Sequence, residues 1–207
     1  MARDEERLRR SQEAPIVGGL PDAPGIVAAI RLTPGLGLHL RGLADELLVN
    51  DFPGATLLRP EREMLATAVS AANDCFYCMD SHGAFAGALL ERSGAIEMIP
   101  IVDRIKEGSS DGLGEKMAAL LHIARTVGRN ARALTAGDIQ AAIDCGATDA
   151  DVQLAVLIAA AFSMYNRMVD GLRAPTPPTP EAYRGRAAEI AEHGYSDARV
   201  VSLPGRS

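Results

Sequence analysis

Residues 61–83 read EREMLATAVSAANDCFYCMDSHG, and the way this stretch divides decides the fold. Met64, Leu65, Ala68, Val69 and Ala72 recur at helical spacing, and Pro60 suits the first turn ahead of them. Asn73 and Asp74 interrupt that pattern and are good N-cap residues for a second helix carrying Cys75, Cys78 and His82. At about 100° per residue, the i, i+3, i+7 spacing of those three puts them on one face. A Cys in a first helical turn lies beside unpaired backbone N–H groups at the positive end of the helix dipole. Both stabilise the thiolate, which is the nucleophilic form. The stretch therefore predicts two helices meeting at a CxxC at a helix N-terminus.

Outward from this pair the spacing predicts further helices over 24–32, 36–50, 95–105 (closed or interrupted by Pro100), 115–127 and 135–145. Thr148 and Asp151 resemble a capping box opening a long apolar helix to about Leu172, and a last helix runs over 181–192 and stops at His193-Gly194. No stretch alternates with period 2. Ala, Leu, Ile and Met carry the apolar load, aromatics are 4% and there is no Trp, which favours helices over strands. The expectation is an all-α chain with a flexible N-terminal arm over 1–22, one helical domain over 23–195 and a tail over 196–207.

A net charge of −6 argues against a nucleic-acid partner. The longest apolar run, Leu154 to Tyr165, is too short to span a bilayer, so no membrane is expected. MARDEERLRR, residues 1–10, lacks the apolar segment of a signal peptide, and three cysteines are too few for a disulfide scaffold. A cytoplasmic protein is expected, and in a reducing compartment a CxxC is redox-active or metal-binding more often than structural.

As a dithiol, Cys75 and Cys78 sit close enough for one thiolate to be oxidised to a sulfenic acid and the other to resolve it. His82, one turn beyond Cys78, is placed to take the thiol proton, and Glu63 orients the imidazole if the helix pair folds back on itself. The rival reading is zinc, with Cys75, Cys78, His82 and Glu63 as ligands, although structural zinc usually draws two ligand pairs from separate segments. Of the other candidates, His122 reads as a packing histidine, Cys145 as a structural thiol, and His39 and His193 carry no motif. Asn166, Arg167 and Asp170 interrupt the long apolar helix and need polar partners, either across a subunit interface or lining the pocket over the CxxC; interface packing is the favoured expectation.

The pattern E-x11-C-x-Y-C-x3-H (Glu63, Cys75, Tyr77, Cys78, His82), together with FSMYNRMVDGL at residues 162–172, resembles the alkylhydroperoxidase D-like branch of the carboxymuconolactone decarboxylase family, in its peroxidase-related subgroup. The resemblance is densest over 60–90 and 150–195. It implies a multi-helix orthogonal bundle, assembled as a homo-oligomer (trimer or hexamer), that reduces hydroperoxides without a cofactor or metal. It implies Cys78 as the peroxidatic thiol, Cys75 as the resolving thiol, Glu63 and His82 as the proton relay, and an external dithiol as reductant. Tyr77 stands where the best-studied branch has His; a Tyr of ordinary pKa, about 10, is a poor base but can donate a hydrogen bond, making it a possible site neighbour. The alternatives are a decarboxylase-like enzyme on the same fold and a zinc-binding or redox-sensing oligomer.

Overall fold

A computed structural model describes residues 2–197, and among them there are helices and no strands. Ten α-helices follow in order: α1 (Ala2–Ser11), α2 (Ile26–Leu32), α3 (Pro34–Leu48), α4 (Arg59–Ala72), α5 (Phe76–Ser93), α6 (Ile99–Lys106), α7 (Glu115–Asn130), α8 (Ala136–Asp144), α9 (Asp149–Gly171) and α10 (Arg184–Asp197). The organising pair is α4 and α5, an antiparallel hairpin. Residues 62–71 of α4 are buried without a break, because α3, α5, α6, α7 and α9 all pack on it. Met64, Leu65, Leu120, Ile123, Leu154 and Ile158 are among the fully enclosed side chains of this core.

Local chemistry sets the helix ends. Thr135 and Thr148 each cap a helix with an Asp three residues on, so α8 and α9 both begin in capping boxes. Pro100 sits in the first turn of α6, where it has no hydrogen bond to lose; the segment expected over 95–105 is a 3₁₀ turn over 96–98 followed by this helix. At 23 residues, α9 is long and apolar enough to cross a bilayer, yet 56% of its most apolar window is buried inside the domain, as befits a core helix.

Two expectations need correction. Residues 2–11, read as part of a flexible arm, form α1, and Arg7 pins it to α5: its Nε donates to Asp80 Oδ2 at 2.7 Å, and its guanidinium lies 5.6 Å from the centre of the Phe76 ring. The alternating charges that disguised this segment also pair along it, as Arg9 and Arg10 do with Glu6. The final helix does not stop at His193-Gly194. It breaks at Gly194 (φ 73°, ψ −164°) and continues to Asp197. Residues 198–207, most of the expected tail, lie outside the described residues.

Asp151 shows how strongly α9 is fastened to the loop before α4. It is fully buried and accepts from the backbone N–H groups of Thr56 (2.6 Å), Leu57 (3.2 Å) and Thr148 (3.1 Å) and from the Thr56 hydroxyl (2.8 Å), with Lys116 Nζ at 3.2 Å. Burial by itself raises its pKa, but these donors outweigh burial and hold the carboxyl down to about 2, against 3.8 ordinarily. A folded-state value below the unfolded one means the stabilisation is complete above pH 4 or so and is lost as the pH falls toward 2; its size is about 2 kcal/mol. Urea denaturation between pH 5 and pH 2.5 should show that loss, and Asp151→Asn should flatten it. At neutral pH Asp151→Ala, which removes the acceptor of three backbone amides, Leu57 buried among them, should cost about 2–4 kcal/mol.

Candidate active site

The α4–α5 junction places the two sulfurs. The chain leaves α4 through a Schellman motif: the Cys75 N–H bonds to Ser70 O at 3.0 Å and the Asp74 N–H to Ala71 O at 3.3 Å. The motif needs a left-handed residue, and Asp74 supplies it (φ 56°); Asp is one of the few residues besides Gly that visits this region readily. Asp74 therefore ends the first helix and is not the cap of the second. The cap position falls to Cys75 itself, in extended conformation, with Cys78 three residues in. N-cap and N3 side chains are neighbours at a helix start, so the junction sets two free thiols side by side.

Their surroundings differ. Cys78 borders a cavity of about 60 Å³ walled by α2, α3, α5, α9 and α10, and His82, one turn on, borders the same cavity. Cys75 is fully buried beneath it among Val27, Ala28, Val169 and Ala174. Burial, followed by its hydrogen bond to Cys78, pushes the Cys75 thiol well up. Asp170 of α9 is an electrostatic neighbour of Cys75; burial raises its carboxyl, and Cys75 draws it partly back.

Glu63 reaches His82 from the middle of α4. It is completely buried, and its Oε2 lies 2.7 Å from His82 Nδ1. Its neighbour Arg62 turns the other way, donating to the carbonyls of Leu57 (3.0 Å) and Asn50 (2.6 Å), so the two do not pair. Glu63 Oε1 accepts from a residue that the sequence did not single out: Tyr195, whose hydroxyl donates at 2.6 Å and lies 3.3 Å from His82 Nδ1. With the carboxylate ionised, Nδ1 carries the imidazole proton and Nε2 is left with its lone pair. The ring is held edge-on by Phe162, with centroids 4.5 Å apart. Burial, then the Glu63 charge and hydrogen bond, push the Tyr195 phenol well up, so it remains a donor.

Tyr195 arrives there because Gly194 breaks α10. A side chain at Gly194 would be strained by the positive φ and would crowd Asp45 Oδ1. After the break, Asp45 accepts from the backbone N–H groups of Tyr195 (2.6 Å) and Ser196 (2.9 Å), starting the helix again. Before it, Arg59 donates to the carbonyls of Ile190 and Ala191 near the end of the interrupted segment. A lone Tyr after His-Gly near a chain end gives no periodic signal; the Gly was read as a stop rather than a kink.

The remaining candidates fall elsewhere. Tyr77 is buried against Tyr183 (centroids 5.6 Å) and beneath Gly25, where a Cβ would collide with its ring; it does not line the cavity, and burial raises its phenol. Asn166, expected at a subunit interface, is satisfied within the chain: its amide donates to Ser70 (3.0 Å) and its carbonyl accepts from Asn73 (2.9 Å), lacing α9 to α4. His122 is exposed rather than packed and lies 3.1 Å from the Asp138 carboxylate. Among the described residues no three His, Cys, Asp or Glu side chains converge as a metal site would require, so Cys75, Cys78, His82 and Glu63 do not form the zinc tetrad.

Residues 43–99, from α3 to the start of α6, match the carboxymuconolactone decarboxylase family. No curated protein sequence matches the chain. Among solved structures, an uncharacterized peroxidase-related protein from Ralstonia eutropha JMP134, described as an alkylhydroperoxidase AhpD core, superposes with a TM-score of 0.65 at 25% identity, covering 80% of this chain and 81% of that one. An uncharacterized peroxidase-related protein from Silicibacter sp. TM1040 gives 0.64 at 22% identity over 84% and 94%. The all-α, alkylhydroperoxidase D-like fold expected from residues 61–83 is the fold observed, and the family resemblance stands.

Tyr195→Phe takes one of two donors from a buried carboxylate and should lower stability by about 1–3 kcal/mol in urea denaturation. Gly194→Ala should cost at least as much, because it strains the kink as well as displacing the phenol.

Proposed function

We propose that the chain is a thiol-dependent peroxidase that reduces hydroperoxides through Cys78 and Cys75 and is recycled by an external dithiol. The observation that carries this reading is the line Glu63–His82 backing onto a cavity that Cys78 also borders. A carboxylate that holds the Nδ1 proton makes the opposite ring nitrogen a base, and the base stands one helical turn from a thiol at a helix N-terminus.

In the first step His82 accepts the Cys78 proton. The thiolate attacks the distal peroxide oxygen, the O–O bond breaks, and the alkoxide leaves as the alcohol after taking the proton back from His82. Cys78 is now a sulfenic acid. In the second step Asp170 accepts the Cys75 thiol proton, Cys75 sulfur attacks Cys78 sulfur and the S–O bond breaks; the departing hydroxide takes a proton from solvent and leaves as water, and Asp170 then releases its proton to solvent. In the third, a dithiol exchanges with the disulfide, restoring both thiols and leaving oxidised. Glu63 and Tyr195 act through His82 and touch no reacting atom. Tyr77 is left with a packing role.

Peroxide consumption with dithiothreitol as reductant tests this. Cys78→Ser should abolish turnover. Without added dithiol, Cys75→Ser should consume one equivalent of peroxide and stop, trapping a sulfenic acid that dimedone labels. Wild-type rates in both variants would overturn the mechanism. Asp170→Asn should leave the first, dimedone-trapped oxidation in place and slow disulfide formation by about 100-fold, the lower end of what a positioned proton acceptor contributes.

A further inference from the structure

A disulfide between Cys75 and Cys78 offers a reductant two sulfurs, and they are not equivalent. In thiol–disulfide exchange the thiolate of lower pKa leaves faster. Attack on Cys75 expels Cys78, which stands in the first turn of α5 at the cavity's edge, one turn from His82. Attack on Cys78 expels Cys75, a wholly enclosed sulfur on which a charge is poorly solvated. The cavity over Cys78 is also tight: 60 Å³ is room for about five water molecules.

On the side of Asp170, Cys75 is covered by the N-terminal segment. Arg7 of α1 grips α5 just past Cys75: its Nε and Nη2 donate to Asp80 Oδ2 (2.7 Å) and Oδ1 (3.4 Å), and its guanidinium lies over the Phe76 ring. Arg10 Nη1 is 3.9 Å from Asp170 Oδ1, and Asp170 is the electrostatic neighbour of Cys75. Past α1, Glu13 lies 3.9 Å from Arg173, and the Ile16 N–H donates to Leu172 O at 3.4 Å. The segment thus bridges the start of α5 and the end of α9. These attachments are polar. Leu8, the one large apolar side chain of α1, is 50% exposed, and Ile16 is 58% exposed; α2, also packed near Cys75, buries Val27, Ala28, Ala29 and Ile30. α1 therefore lifts without exposing a large apolar side chain of its own, and Asp80 then keeps Lys106 Nζ, 3.8 Å from Oδ1. Gly18-Gly19, where an added Cβ would meet nothing within 4 Å, is a pivot ahead of the firm bond from the Gly25 N–H to Pro175 O (2.7 Å). Asp170 also borders a second, polar cavity of about 420 Å³, with Asn73, Asn166 and Arg167, which gives a dithiol the room that the Cys78 cavity lacks.

We propose that the dithiol reductant attacks the disulfide at Cys75, from the Asp170 side, along a route that residues 2–16 close as a strap latched by Arg7 on Asp80. This rests on the peroxidase reading for its place in the cycle, but the route itself needs only a Cys75–Cys78 disulfide. One thiolate of the dithiol bonds to Cys75 sulfur, the S–S bond breaks and Cys78 leaves as a thiolate. The reductant's second thiolate then bonds to its first sulfur, closing its own disulfide and releasing Cys75. The two protons the dithiol gave up return through solvent to Cys78 and Cys75.

Diamide forms the protein disulfide without peroxide and opens the test. Wild-type protein so oxidised, pulsed with 2-mercaptoethanol and quenched with N-ethylmaleimide, should carry the mercaptoethanol on Cys75 and the maleimide on Cys78 by fragment mass spectrometry; the opposite mapping would overturn the route. Arg7→Gln should speed reduction of the diamide-formed disulfide by dithiothreitol at least fivefold and leave single-turnover oxidation of the reduced protein by tert-butyl hydroperoxide within twofold of wild type. No acceleration, or equal acceleration of both, would overturn the strap. Should the variant fail to fold, wild type decides: in urea well below its unfolding transition the reduction rate should change less than twofold, as a small local opening requires, and a rate climbing with the slope of global unfolding would overturn the strap. If the mapping holds but tert-butyl hydroperoxide leaves the thiols untouched, the route stands and the peroxidase reading falls. If peroxide is turned over and mercaptoethanol is found on Cys78, the reading stands and the route falls.

Discussion

The arrangement depends on a carboxylate buried where water does not reach. Glu63 is wholly enclosed in the central helix, and an ionised group there is tolerable only when its oxygens are hydrogen-bonded. Each oxygen has one donor, from a different helix: His82 of α5 on Oε2 and Tyr195 of α10 on Oε1. The interaction therefore joins three elements far apart in sequence, and the same bonds that make the charge bearable fix the imidazole's tautomer and direction. The supporting shell follows from the same need. The Gly194 kink, the Asp45 cap and the Arg59 contacts with α10 carbonyls all serve to bring one phenol to one carboxylate.

The two cysteines are chemically alike and physically unlike. Three residues apart at a helix start, they share the helix dipole. Both sit in one apolar cluster with Val27, Ala28 and Val169, but Cys78 borders the cavity and Cys75 does not. An oxidant entering from the cavity meets Cys78 first. Burial favours the thiol form of Cys75, and under the proposed peroxidase mechanism that is the order a resolving residue requires. This asymmetry originates in the Schellman turn: a left-handed Asp74 swings Cys75 inward before the helix begins.

Much of this was legible in residues 61–83, because helical periodicity and the CxxC–His spacing are short-range signals. Glu63 meeting His82 needed only the inference that two helices fold back across a tight junction. Three things were not legible. The role of Asp74 depends on backbone conformation, and N-cap and C′ positions draw on the same residue types. The docking of α1 depends on Arg7 finding Asp80 across 73 residues, and a charge-rich segment looks the same whether it is solvated or pinned. Tyr195 follows a Gly that is read as a helix stop on every local rule, and only the Asp45 carboxylate, 150 residues away, makes it a kink instead. Asn166 is instructive in the other direction. A polar interruption in an apolar helix was correctly seen to need partners, but whether they lie in the same chain or another is not encoded locally.

The fold alone does not select the chemistry; many scaffolds host several reactions, and the site decides. Here the decision rests on which side chains meet at the N-terminus of α5 and what faces them across the cavity. The thiol and imidazole come from α5 and could serve any peroxide. Arg41 of α3 and Arg186 of α10 also line the cavity, and these two helices pack on each other. Residues 43–99, the family match, hold the reactive group but neither arginine. The division is physical: the part of the chain that carries reactivity is the buried hairpin, and the parts that face a ligand's distal end belong to the flanking helices. The flanking helices serve both ends of the site: Arg41 of α3 and Arg186 of α10 line the cavity, while Asp45 of α3 and Tyr195 of α10 support Glu63 and His82 behind it.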